Sequence, residues 1–148
     1  MKILPSYKET FEGYTLDREG SSLPTESGVY MMYRCIPDPA THSVELVELF
    51  YIGKATNLKQ EIMNHKRRAE FLAQAKEGEV ICYSFAFVSR VQYDVVENGL
   101  VYMQKPRLND NLKWKYNHQD AAFHFSGACD LLKYVEYKIV DGVVIPLK

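Results

Sequence analysis

Two runs rich in β-branched, aromatic and Met residues, Val29 to Ile36 and Val44 to Ile52, stand on either side of Pro37-Asp38-Pro39. Proline has no ladder N–H and restricts the residue before it, so the Pro-Asp-Pro break predicts two strands joined by a long polar tip. This antiparallel hairpin constrains the chain more than any other feature. A second signal stands near the end, where Asp141-Gly142 separates Tyr134 to Val140 from Val143 to Leu147. Both central positions of a tight hairpin turn favour positive φ, which Asp-Gly supplies.

Between the hairpins the period changes. Leu58, Ile62, His65, Ala69 and Leu72 recur at helical spacing after Asn57, a side chain suited to capping a helix N-terminus, and Gly78 is a fitting stop. Val80 to Val88 alternates as a third strand. Val91, Val95, Leu100 and Met103 predict a second helix that Pro106 closes. Residues 1–22 carry no clear period and read as an N-terminal arm, residues 23–112 as the main domain and residues 113–148 as a C-terminal extension. The expected fold class is α+β: a small, mostly antiparallel sheet flanked by helices in the order β-β-α-β-α, with a C-terminal β-hairpin.

Composition narrows the function classes. The 148 residues are 47% apolar and 25% charged, a globular balance, and no apolar run approaches the roughly 20 residues that span a bilayer. Met-Lys-Ile-Leu-Pro-Ser turns polar at once and is not expected to be a secretory leader. Cys35, Cys82 and Cys129 form no CxxC pair and the four histidines no HExxH, so reduced thiols and a cytoplasmic location are expected. Net charge is −1, but cations cluster: Lys54, Lys59, Lys66, Arg67 and Arg68 against Glu61, then Lys105, Arg107, Lys113 and Lys115 against Asp110. Such strips are solvated faces or tracks for a phosphate backbone.

Three stretches then occur in a telling order: Leu23-Pro24-Thr25-Glu26-Ser27-Gly28-Val29-Tyr30, Tyr51-Ile52-Gly53-Lys54-Ala55-Thr56-Asn57-Leu58, and Glu97-Asn98-Gly99-Leu100 followed by Lys105-Pro106-Arg107-Leu108-Asn109. Over residues 23–110 they resemble the GIY-YIG nuclease superfamily, the second being similar to the strand motif of the UvrC-type nucleotide-excision nucleases. The resemblance implies a metal-dependent endonuclease acting on DNA, with Tyr30 and Tyr51 near the scissile phosphate and Lys54 placed to favour phenolate. It implies Glu97 as the ligand for Mg2+ or Mn2+ and Asn109 as a supporting hydrogen-bonding residue. His65 matches a histidine of the family's helix, as a phosphate contact or a structural residue. Without the motifs, Tyr30 and Tyr51 would read as ordinary sheet tyrosines and Glu97 as a helix glutamate. Lys59, Lys66, Arg67, Arg68, Lys105 and Arg107 are the candidate nucleic-acid contacts.

One position departs from the pattern. Active members place an arginine ten residues beyond the second-motif tyrosine, and that position is Glu61. A planar, always-charged fork that grips two phosphate oxygens is thereby replaced by a carboxylate that repels them. Three readings follow: Lys59, Arg67 or Arg68 supplies the charge instead, Glu61 holds a second metal, or the domain is inactive in cleavage and serves as a nucleic-acid-binding module. A protein-interaction module is a further alternative, with Tyr134, Tyr137 and Val143 to Ile145 of the C-terminal hairpin pairing with a partner protein or closing a homodimer.

Overall fold

A computed structural model describes residues 3–147. Strands β1 (Ser6–Leu16), β2 (Gly28–Asp38), β3 (Ser43–Ala55), β4 (Val80–Phe87), β5 (Ala121–Gly127), β6 (Glu136–Val140) and β7 (Val143–Pro146) form one sheet in the order β3-β2-β4-β1-β5-β6-β7. Neighbours run antiparallel except β1 and β5, which are parallel. A 3-10 helix (Asp17–Ser22) and the helices α1 (Leu58–Met63), α2 (Arg68–Leu72) and α3 (Tyr93–Gln104) complete the elements.

The expected small, mostly antiparallel sheet flanked by helices is overturned. The sheet is seven-stranded, mixed and curled, with 41% of residues in strands against 20% in four short helices, so strands rather than helices carry the architecture. The difference comes from two strands beyond the expected five: β1, within the residues expected as an N-terminal arm, and β5, within the C-terminal extension ahead of its hairpin. The first of these joins the two halves of the sheet. It lies between β4 and β5 and links the strands of the third motif's C-terminal side to the rest.

β2 reads as a near-continuous apolar run because both of its faces are buried. Val29, Met31, Tyr33 and Cys35 pack with Val96, Leu100 and Val101 of α3 and with Phe123, Phe125 and Tyr137 of β5 and β6. Tyr30 and Met32 face the other way, onto Phe50, Leu58, Ile62, Phe71 and Tyr83. The strand also runs through Pro37, which sits opposite Val44. β4 begins only at Val80, opposite Cys35, so no strand on that side of β2 requires an N–H from residue 37. At the other edge, Val143 and Ile145 of β7 are exposed, while Tyr137, expected on the surface of this hairpin, is buried and donates its hydroxyl proton to the Gly99 carbonyl at 2.9 Å. Among the described residues no helix is long and apolar enough to cross a membrane.

Candidate functional site

The geometry begins at an irregularity in β3. Met32 pairs with Tyr51 but Tyr33 with Leu49, leaving Phe50 as a bulge residue. Leu49 and Ile52 therefore face α3, while the consecutive Phe50 and Tyr51 both turn towards α1 and α2. The Tyr51 ring packs 4.6 Å from Phe71, centroid to centroid, and edge-on to His65 at 5.7 Å. Tyr30 lies directly across Gly53, its partner on β3, and a Cβ at residue 53 would stand 2.4 Å from the phenol. That contact makes glycine necessary in the Tyr-Ile-Gly motif, and it leaves the two tyrosine rings 6.3 Å apart.

The helix expected over residues 58–72 is two short ones. Asn57 caps α1 as its residue type predicts, its side chain accepting from the Gln60 N–H at 3.0 Å. The helix then stops at Asn64, and α2 begins at Arg68. In the break His65 Nδ1 accepts from the Arg67 N–H at 3.0 Å, and Nε2 lies 3.6 Å from Glu61 Oε2. Burial pushes the His65 pKa down, so near neutral pH its Nε2 carries the ring proton and points it at Glu61.

Glu97 comes from α3 and is only 9% exposed. Burial pushes its carboxyl up to about 7, with the nearby charges of Asp94 and Glu61 adding to the shift and Lys54 opposing it. Lys54 is held by Asp94, one helical turn before Glu97, and stands over the Tyr93 ring. Burial likewise holds both phenols above the ordinary tyrosine range. For Tyr30, the hydroxyl also donates to Glu61 Oε2 at 3.2 Å. For Tyr51, the opposing cation is Arg67, whose guanidinium lies 5.6 Å from the ring centroid.

Tyr51, His65, Lys66, Arg67, Glu97, Asn109, Asp110, Asn111 and Leu112 line one cleft of about 330 Å³. Four of the residues implied by the sequence motifs, from β3, the α1–α2 break, α3 and the segment after it, thus face the same space. Asn109 contributes by position: its amide accepts from Ile52 N–H at 3.0 Å and donates to Ile52 C=O at 2.8 Å, completing the outer edge of β3 as a further strand would. Glu61 faces an adjoining cavity with Asn57, Gln60 and Asn64.

The candidate cations divide. Lys66 and Arg67 line the cleft, Arg67 being steadied by Glu70 at 2.8 Å, the Leu108 carbonyl at 3.0 Å and Asp110 at 3.6 Å. Arg68 instead pairs with Asp17 at 3.0 Å, and Arg107 with Glu48 at 2.9 Å. Lys105 donates to the carbonyls of Tyr102 and Lys113, and Lys59 on α1 lies outside the cleft lining. Of the three residues considered as substitutes for the missing arginine, Arg67 alone reaches the cleft. Sequence reasoning missed Asp94 and Asn111 and took Asp110 only as a counter-charge; the helical spacing of Asp94 and Glu97 was the available signal for the first.

Among the described residues no group of three or more His, Cys, Asp and Glu side chains is placed to hold a metal ion. Glu97 nevertheless suits a hard divalent cation that keeps most of its waters: it is a buried carboxylate oxygen donor whose negative charge is undercompensated by the protein. No family model, curated protein or solved structure matches this chain.

Proposed function

We propose that this cleft binds a nucleic-acid phosphodiester, DNA in the first instance, and hydrolyses it with Mg2+ or Mn2+ at Glu97. The observation that carries the reading is the convergence of Tyr51, His65, Arg67 and Glu97 on one space from separate elements. In this scheme Arg67 exchanges its two-pronged pairing with Glu70 for the phosphate oxygens, in place of the arginine that Glu61 replaces, and Lys66 adds charge at the rim. Tyr51 keeps its proton and donates it in a hydrogen bond to a phosphate oxygen. Asn109 fixes the backbone beside Tyr51, and the Glu61 carboxylate, accepting from Tyr30, holds that ring in place across Gly53. A divalent cation at Glu97 would supply charge neutralisation at the phosphate and the leaving oxygen.

One observation favours a second reading, a domain that binds nucleic acid without cutting it. The Tyr30 hydroxyl, implied to lie near the scissile phosphate, is engaged by a carboxylate. Loss of one stabilising donor costs about 10²- to 10³-fold in rate. The deciding experiment is a cleavage assay on plain and branched DNA with Mg2+ or Mn2+, using the native protein, Tyr51→Phe, Glu97→Ala, Arg67→Ala and Glu61→Arg. Cleavage by the native protein that is lost in the first three variants supports the hydrolase with Arg67 as its cation. An inert native protein with an active Glu61→Arg variant supports the binding module. If every protein is inert and none binds DNA, both readings fail.

A further inference from the structure

We propose that Trp114 is a stacking platform for an unpaired nucleobase, so that the strand entering the cleft is single-stranded or branched at that point; this rests on the reading of the cleft as a phosphodiester site. Trp114 is the chain's one tryptophan and is 74% exposed. An indole left in water at the end of a slack loop would mean little, but this loop is clamped. Asn98, fully buried and next to Glu97, donates to the carbonyls of Leu112 at 3.1 Å and Lys115 at 3.0 Å, and accepts from the Asn117 N–H at 2.8 Å. Lys105 Nζ donates to the Lys113 carbonyl at 2.6 Å from the other side. The backbone is therefore fixed before, beside and after the indole, and its exposure is a property of the ordered loop.

The surroundings identify the partner. Lys105 Nζ stands 5.1 Å and Lys113 Nζ 5.7 Å from the indole, Lys115 follows it, and no acidic residue occurs from Leu112 to Gln119. A largely exposed indole with two ammonium groups held over its ring offers a base a surface to stack on and its phosphates a positive charge. A paired base inside a duplex has both faces covered by its neighbours, so away from a duplex end a free face requires an unpaired base. The platform also adjoins the cleft, since Leu112 lines the cleft and Trp114 Cα lies within about 8 Å of Leu112 Cα along the chain. Asn98, which holds the platform, and Glu97, the candidate metal ligand, are consecutive residues of α3.

The test uses the full chain with Mg2+ or Mn2+ omitted, so that binding is read without cleavage. Oligo-dT and a blunt duplex of equal length are titrated while Trp114 fluorescence is followed, with anisotropy of labelled DNA measured in parallel. Oligo-dT is expected to quench the emission and the duplex to leave it largely unchanged. In Trp114→Ala, affinity for oligo-dT should fall about 5- to 100-fold at fixed salt, and Trp114→Phe should recover most of it. Equal quenching by the duplex, or oligo-dT binding that neither quenches nor responds to Trp114→Ala, overturns the platform while leaving the cleft reading standing. Absence of binding to either DNA, in native protein that shows a cooperative thermal transition, overturns both.

Discussion

Glu97 holds its proton more tightly folded than unfolded, because burial disfavours the charged carboxylate and the Asp94 and Glu61 charges add to the penalty. A carboxyl whose folded pKa lies at about 7, against an ordinary 4.5, favours the native state fully below about pH 4.5. That advantage is lost as pH rises through 7, and amounts to roughly 3 kcal/mol. Relative to native protein, Glu97→Gln should therefore gain roughly 3 kcal/mol between pH 4.5 and pH 8 in urea denaturation. A difference that stays constant with pH would rule out the buried, undercompensated carboxylate on which the metal proposal depends. Gly53→Ala tests the neighbouring contact. The new Cβ would lie 2.4 Å from a Tyr30 ring that is fully buried and has nowhere to move, so a loss of roughly 1–3 kcal/mol is expected in the same assay. An unchanged urea midpoint would mean that Tyr30 does not lie over Gly53.

At the scale of elements, Asn109 acts on β3 as a missing neighbour. Among the described residues no strand pairs with its outer side; instead Leu108 N–H donates to the Phe50 carbonyl at 3.0 Å and the Asn109 amide pairs with both backbone groups of Ile52. Asn109→Ala should expose the Ile52 amide to hydrogen exchange at a rate well above native, and cost about 1–3 kcal/mol through the groups left unpaired. Retained protection at Ile52 would contradict the clamp. The role of Asn109 as a hydrogen-bonding support is the kind of feature a motif can carry. Other features were readable from local pattern: β3 and β4 from their apolar runs, the β6–β7 turn from Asp-Gly, whose residues take φ of 52° and 76°, and the α1 cap from Asn57. β1 was not, for a physical reason. Its register shifts between Gly13 and Thr15, Glu9 occupies the face that Tyr7 and Phe11 share, and its parallel partner lies more than 100 residues away in sequence. Nor was the position of Arg67 readable. A continuous helix would carry it away from the face of His65, and only the break after Met63 brings both to the cleft.

The whole molecule depends on β1 in a way that a terminal arm would not. β4 and β5 are not paired with each other; each is paired with β1, through Thr15–Tyr83 and Leu16–Cys82 on one side and Ser6 to Phe11 with Ala122 to Gly127 on the other. Phe11 is 2% exposed in the same core as Val96 and Leu100 of α3, and its carbonyl accepts from Ala128 N–H at 2.8 Å. Removing residues 1–22 would leave two three-stranded pieces, β3-β2-β4 and β5-β6-β7, with unpaired ladders facing each other and joined through α3 by side-chain packing and a few hydrogen bonds, such as Tyr137 to Gly99 and Gln104 to Leu131. Unsatisfied strand edges next to an opened apolar core are costly in water and prone to pair with other chains. A chain of residues 23–148, which still contains every motif of the candidate site, should therefore show no cooperative urea transition and no fixed near-UV signal from Trp114. The single substitution Phe11→Ala should act in the same direction by degree, costing about 3–5 kcal/mol while the transition remains cooperative. If the shortened chain instead unfolds cooperatively at a native-like midpoint, β1 is an accessory to a domain that closes without it. The candidate cleft, built on β3, α3 and the segment leading into β5, would then be independent of the strand that here ties those elements into one sheet.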